Sequence, residues 1–176
     1  MSLSFRGTPQ HLHLLPVITS TATIMFFSME CLTIKSFLSP LVPASTISAF
    51  WKAYTLNSSR LGIRYAYNAL SAISGMMCNY SLRRTRAGVK EFYAIGVVFS
   101  LMHFAFEPWR TKINKKMIDG PSVKAKDGAR ELLDAQNTIR QLVDLPAWLA
   151  FTCGFARLCR LTSEVKVWSF FLPSTS

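Results

Sequence analysis

Apolar residues fall into four long runs separated by polar, turn-forming stretches. The first run covers residues 14–38 (LLPVITSTATIMFFSMECLTIKSFL), the second 61–80, the third 87–106 and the fourth 145–161. Each approaches the ~20 residues that a helix needs to cross ~30 Å of hydrocarbon. The core of the third, FYAIGVVFSLMHFAF, is nearly free of polar groups. The first contains Glu30 and Lys35, the second Arg64, Asn68 and Asn79, and the fourth ends near Arg157 and Arg160. Pro40 and Pro43 predict the end of the first helix, with Trp51 and Tyr54 as interface anchors in the link that follows. LRRTRAGVK predicts a tight basic turn between the second and third runs. The long link, residues 107–144, opens polar and is interrupted by Gly120, Pro121 and Gly128. It continues as ARELLDAQNTIRQLV, an amphipathic helix with Leu132, Ile139 and Val143 on one face. The pattern predicts an all-α fold: a four-helix transmembrane bundle in one membrane domain over residues 1–176, with an extra amphipathic helix between spans three and four. Residues 107–144 are then expected outside the hydrocarbon.

Composition strengthens the membrane reading. Half of the 176 residues are hydrophobic and 16% are charged, against about 25% charged in ordinary soluble domains. Four such runs leave too little polar surface to coat a soluble bundle. The net charge of +11 on so apolar a chain points to anionic lipid rather than nucleic acid. The first run lacks the flanks of a secretory signal, since only Arg6 precedes it and no small-x-small site follows before Pro40, so a retained span is expected. Basic residues are almost balanced between the two sides; the cluster Arg83, Arg84, Arg86 and Lys90 favours cytoplasmic termini. Cys31, Cys78, Cys153 and Cys159 stand singly in apolar surroundings and predict buried small hydrophobes, with no disulfide framework or zinc site. Rossmann glycines, a P-loop, HExxH and GxSxG are absent.

The remaining chemistry lies in scattered polar residues. His103 and Glu107, four apart, share a helix face. That spacing suits a metal pair or a carboxylate orienting an imidazole, while the plainer reading has His103 bonded to a neighbouring helix and Glu107 among the headgroups. Glu30 has two readings as well: an ion pair with Lys35 or with another helix's arginine, or a carboxylate lining a pocket. Asn137, Arg140 and Asp144 fall on one side of the amphipathic helix, away from Leu132, Ile139 and Val143, as a solvated face would. DLPAW also predicts a helix start, with Asp144 as N-cap and Pro146 in the first turn.

The overall plan resembles the anthrone oxygenase family of small fungal integral membrane proteins. The features that carry the resemblance are SFLSPLVP after the first span, FWKAY in the next link, HFAFEPWRTKIN at the end of the third span and LLDAQNTIRQLVDLPAW, of the form LLxxxNxxRxxxDxPAW. The resemblance covers most of residues 14–161. PWRTKIN stands where the family shows a P-T-N run, and Ala135 or Asp134 where it shows a tryptophan. It implies a membrane-bound oxygenase of secondary metabolism that oxidises an anthrone-like polyketide to a quinone. Molecular oxygen would be the co-substrate; with no CxxC, no HExxH and one histidine among the spans, the sequence offers too few ligands for haem or iron, so no metal or other cofactor is expected. His103 is then the expected base, with Asn137 and Arg140 as catalytic donors and Asn114, Glu30 and Asp144 as substrate-binding residues. For Asn137 and Arg140 to serve that site, their helix would turn its polar face inward and Leu132, Ile139 and Val143 toward lipid. A lipophilic aromatic small molecule and membrane lipid are the implied partners, with room for a homo-oligomer, and the endoplasmic reticulum or a related endomembrane is the expected location. Two other readings remain open: an enzyme of the same fold that hydroxylates, cyclises or isomerises another polyketide or terpenoid, and a non-catalytic membrane subunit.

Overall fold

A computed structural model describes residues 10–56, 58–82, 88–119 and 124–171. Every element among them is helical. A short 3-10 turn, Gln10–Leu14, leads into α1, Leu15–Phe37, where Pro16 occupies the first turn and loses no backbone bond. Helix α2 is Ala44–Leu56, α3 Ser58–Ser81, α4 Val89–Asp119 and α5 Ala125–Ile139. A five-residue π-turn, Arg140–Asp144, joins α5 to α6, Leu145–Phe171.

Three expectations are corrected. FWKAY lies within α2 rather than in a loop. The third span does not stop near residue 106: α4 continues through Pro108 to Asp119, so most of the expected polar loop is helix. Pro108 costs that helix one backbone bond, and the packing of Arg110, Ile113 and Met117 on the buried face holds the chain helical beyond it. The amphipathic helix and the last span are one continuous helical run, so Asp144 is not an N-cap. The Leu145 N–H bonds the Arg140 carbonyl five residues back, and Pro146 has no N–H to restore the α register. Gly120, Pro121, Arg83, Arg84 and Arg86, on which a break and an orientation were read, lie outside the described residues.

Among the described residues, three helical stretches are long and apolar enough to cross a membrane: Leu12–Phe37, Val89–Asp119 and the run Ala125–Ser163. Helix α3 is not among them, because Arg64, Asn68 and Asn79 lower its mean hydropathy. Helix α3 packs between α1 and α4, and α6 closes the ring against α4 and α1. Helices α1 and α4 thus stand at opposite corners, as do α3 and α6. Beyond the ring, α2 and α5 pack on the second half of α4 and the end of α1.

Among the described residues, two hydrophobic clusters result. One, inside the ring, contains Cys78, Val89, Tyr93, Val97, Phe151 and Leu158. The other, between α2, α5 and the ends of α1 and α4, is built on Ile34, Trp51, Ile113, Met117 and Leu132. Cys31 and Cys78 are buried, but Cys153 and Cys159 are exposed, contrary to the expectation that all four are core; the four are free thiols. The Phe151 ring lies in a slot made by Gly75 and Gly96, where an added methyl would stand 2.7 and 2.5 Å from ring atoms. Gly96→Ala must push that ring out of the first cluster, so a loss of about 1–3 kcal/mol is expected in a thermal melt of the detergent-solubilised protein. An unchanged melting temperature would contradict this packing.

Candidate functional site

Between the two clusters lies a layer of buried polar side chains. His103 is on α4, about 21 Å along the helix from Val89 at 1.5 Å per residue. Its Nδ1 lies 2.9 Å from Asp144 Oδ1, with both side chains almost fully buried. The π-turn explains this meeting. Its wider loop projects Asp144 sideways toward α4 instead of leaving it at a helix start. The Phe27 ring of α1 stands 4.9 Å from the imidazole and covers it with an apolar wall. Among the described residues, Asp144 Oδ2 is buried without a hydrogen-bond partner.

The next level holds Glu30, Gln136, Tyr54, Glu107 and Arg110. The Gln136 amide donates to Glu30 Oε2 at 3.0 Å and the Tyr54 hydroxyl donates to Glu30 Oε1 at 3.2 Å. Arg110, 2% exposed, clamps Glu107 through Nε at 3.1 Å and a second, shorter contact from its terminal nitrogen, and approaches Glu30 at 4.0 Å. Glu107 is therefore engaged by Arg110, not by His103, and the expected His103–Glu107 pair is not assembled. Glu30 meets another helix's arginine. Asn114 accepts a bond from Trp51 Nε1 at 3.2 Å, and Trp51 in turn stacks on Tyr54 at 4.8 Å.

Asn137 and Arg140 form a third group. Arg140 donates to Asn137 Oδ1 at 3.2 Å and reaches Ser28 Oγ at 3.5 Å, while the Cys31 thiol points at Gln136 and Asn137. Leu132, Ile139 and Val143 are buried, so the helix does not turn its polar face inward as the site reading required. Its apolar face seats on the protein, and Asn137 and Arg140 reach α1 from the flank. The structure thus joins His103 to Asp144 and Arg140 to Asn137, puts Glu30 in the layer between, and leaves Asn114 on the α2 side.

Arg110 and Gln136 were not singled out from the sequence. Both carried a signal: His103, Glu107, Arg110, Asn114 and Met117 recur at alternating steps of four and three on one face of α4, and Gln136 interrupts the stripe Leu132, Ile139, Val143. An open groove of about 610 Å³ on the outer side of α4, lined by Phe104, Glu107, Pro108, Thr111, Lys112 and Lys115, flanks this layer. Among the described residues, no three His, Cys, Asp or Glu side chains converge as metal ligands would.

Chemically, the pair resolves the roles of the two imidazole nitrogens. In the neutral ring, an Nδ1–H donating to Asp144 leaves Nε2 as the basic nitrogen, and the carboxylate steadies the imidazolium once Nε2 takes a proton. The arrangement can therefore hold and return one proton in a site screened from water.

No protein-family profile matches the chain, and no solved structure matches it. The epoxidase pydX of Acremonium sp is 30% identical over 148 residues, which span 80% of this chain and 89% of that protein. With four fifths of this chain and nearly nine tenths of that protein aligned, the chain belongs to the family of that epoxidase.

Proposed function

We propose that the protein is a membrane-embedded oxygenase of fungal secondary metabolism, in which His103 deprotonates an electron-rich, lipophilic polyketide that then reacts directly with molecular oxygen. The supporting observation is the buried His103–Asp144 pair, an ionisable couple of the kind found within membranes where there is work for it. Kinship with an epoxidase supports oxidative chemistry.

For an anthrone, Nε2 takes a proton from the methylene, which the carbonyl and the rings acidify. The enolate passes an electron to O₂, and the resulting pair combines to a carbon–peroxide anion that recovers the proton. Loss of the second methylene proton with cleavage of the O–O bond gives the new carbonyl and water. One oxygen atom ends in the quinone and the other in water, with no external reductant. Arg140, one helical turn before Asp144, and Asn137, to which it donates, would steady the oxyanions. The epoxidase relative favours a second outcome from the same first steps. A hydroquinone substrate loses a phenolic proton to His103 and takes up O₂ at a ring carbon, and the peroxide then attacks the adjacent double bond. An epoxyquinone and water result, again in balance.

The bundle that supports this chemistry has four spans in this proposal, with α3 as the fourth. Its polar Asn68, Ser71 and Ser74 are buried, whereas Ile63, Leu70, Ile73 and Met77 are exposed at helical spacing. Hydropathy averaged over a helix misses such a face, apolar outward and polar inward. An endomembrane location and a lipophilic aromatic substrate that partitions into lipid belong to the same proposal. The experiment is oxygen uptake by membranes containing the protein, supplied with an anthrone or a hydroquinone under labelled oxygen. One label atom per product molecule is expected, absent from membranes that lack the protein. No uptake with either substrate class would refute the proposal.

A further inference from the structure

Helix α4 is longer than the hydrocarbon it would cross. From Val89 to Phe106, where its apolar run ends, it rises about 26 Å, close to the ~30 Å of a bilayer core, and it then continues to Asp119. Lys112 and Lys115 lie about 9 and 13 Å beyond Phe106 along the axis. The polar layer of one leaflet is about 5–8 Å deep. Helical side chains lean toward the N-terminus, here toward the membrane, so both lysine stems bend back and set their ammonium groups in that layer. Trp109, 42% exposed, stands at the same level as an aromatic anchor.

The same two lysines line the open groove on α4, together with Phe104, Pro108 and Thr111, all within about 100° of the helix surface. The groove is therefore apolar at its membrane end, where Phe104 stacks on Tyr65 of α3, and cationic at its outer end. Other cations near this end are engaged: Arg110 holds Glu107, Lys116 meets Glu131 at 2.9 Å and Lys126 donates to the Ser39 carbonyl at 3.1 Å. Lys112 and Lys115 have no anionic partner among the described residues. Glu107, the acidic residue in the lining, is offset by Arg110, so the groove stays net positive. We infer that it seats one anionic phospholipid, with the phosphate between Lys112 and Lys115 and an acyl chain along Pro108 and Phe104. An open groove cannot enclose a water-soluble solute, whereas a lipid needs only one side seated and keeps the other in the bilayer. A second copy placed face to face would oppose lysine to lysine. The inference rests on the membrane reading and is independent of the oxygen chemistry. It gives part of the chain's positive charge a defined address.

Native mass spectrometry of the full chain in uncharged detergent tests this, with dioleoyl phosphatidylglycerol and dioleoyl phosphatidylcholine as probes. The choline ammonium cancels the phosphate charge and repels the lysines. One phosphatidylglycerol per chain is expected to be retained, with a preference of roughly thirtyfold over phosphatidylcholine, about fivefold from each lysine. Lys112→Gln or Lys115→Gln alone should lose about fivefold, and the double variant the whole preference. Both side chains are exposed and unpaired, so these variants should melt as the unaltered protein does when no lipid is added. Lys52→Gln with Lys90→Gln removes the same charge from other faces and should leave the preference intact. A preference that survives in the groove double variant, or that falls equally in the Lys52 and Lys90 variant, overturns the site. Displacement of the lipid by millimolar inorganic phosphate overturns it as well, because a free anion would then be the occupant. A double groove variant that fails to fold would show the lysines to be structural and overturn it too. Selective retention of phosphatidylglycerol by a protein that takes up no oxygen refutes the proposed reaction and supports this site.

Discussion

His103→Gln is expected to lower oxygen uptake and product formation about 10²- to 10⁴-fold, the usual contribution of a positioned general base. Glutamine keeps a polar group beside Asp144 but cannot take a proton, so the loss should fall on turnover while the protein remains folded. Asp144→Asn should follow the same direction: its amide, if it donates to Nδ1, directs the ring proton to Nε2 and removes the basic site. Both variants are measured against the unaltered protein with an oxygen electrode, mass analysis of product and a detergent melting curve. Full turnover in folded His103→Gln would reduce the His103–Asp144 contact to a structural bond.

The largest effect on stability is expected at Arg110. Its guanidinium serves Glu107 and lies near Glu30 in the buried layer between the two hydrophobic clusters. Arg110→Met removes the cation and leaves carboxylates in a poorly solvated place, which costs about 3–5 kcal/mol when one partner of a buried pair is lost. The variant should accumulate poorly and melt far below the unaltered protein. Adding Glu107→Gln and Glu30→Gln should restore much of the loss, because the penalty belongs to the unpaired charges rather than to a missing shape. A single variant of near-normal stability, or a triple variant no better than the single, would show that water reaches this layer.

These two groups differ in how far the sequence disclosed them. The apolar runs locate α1, α3 and a little over half of α4 within a few residues, because the length of an apolar run depends on local composition. His103, alone in the most apolar run, stands out for the same reason. Its partner does not: DLPAW has the local grammar of a helix start, and only the packing of α6 against α4 turns Asp144 into a mid-helix ligand of an imidazole. Arg110 was hidden because the polar stretch from Glu107 onward has the composition of a loop. The spacing did contain the answer in one place. Ala135, Ile139, Val143, Ala147 and Phe151 are all buried and recur strictly every four residues. In an unbroken α-helix each such step drifts by about 40°, so a constant step of four over five positions requires a locally wider turn.

That extra residue marks a place where the gene can change length without moving the rest of the fold. The wide turn absorbs one residue, so losing a codon between Arg140 and Asp144 would let the chain close its ordinary backbone bonds and keep α6 on nearly its present face. What would be lost is the sideways projection of Asp144 toward His103. Among descendants of a common ancestor, the length of this one turn would therefore separate working copies from folded ones that have gone silent, even where every polar residue named above is retained.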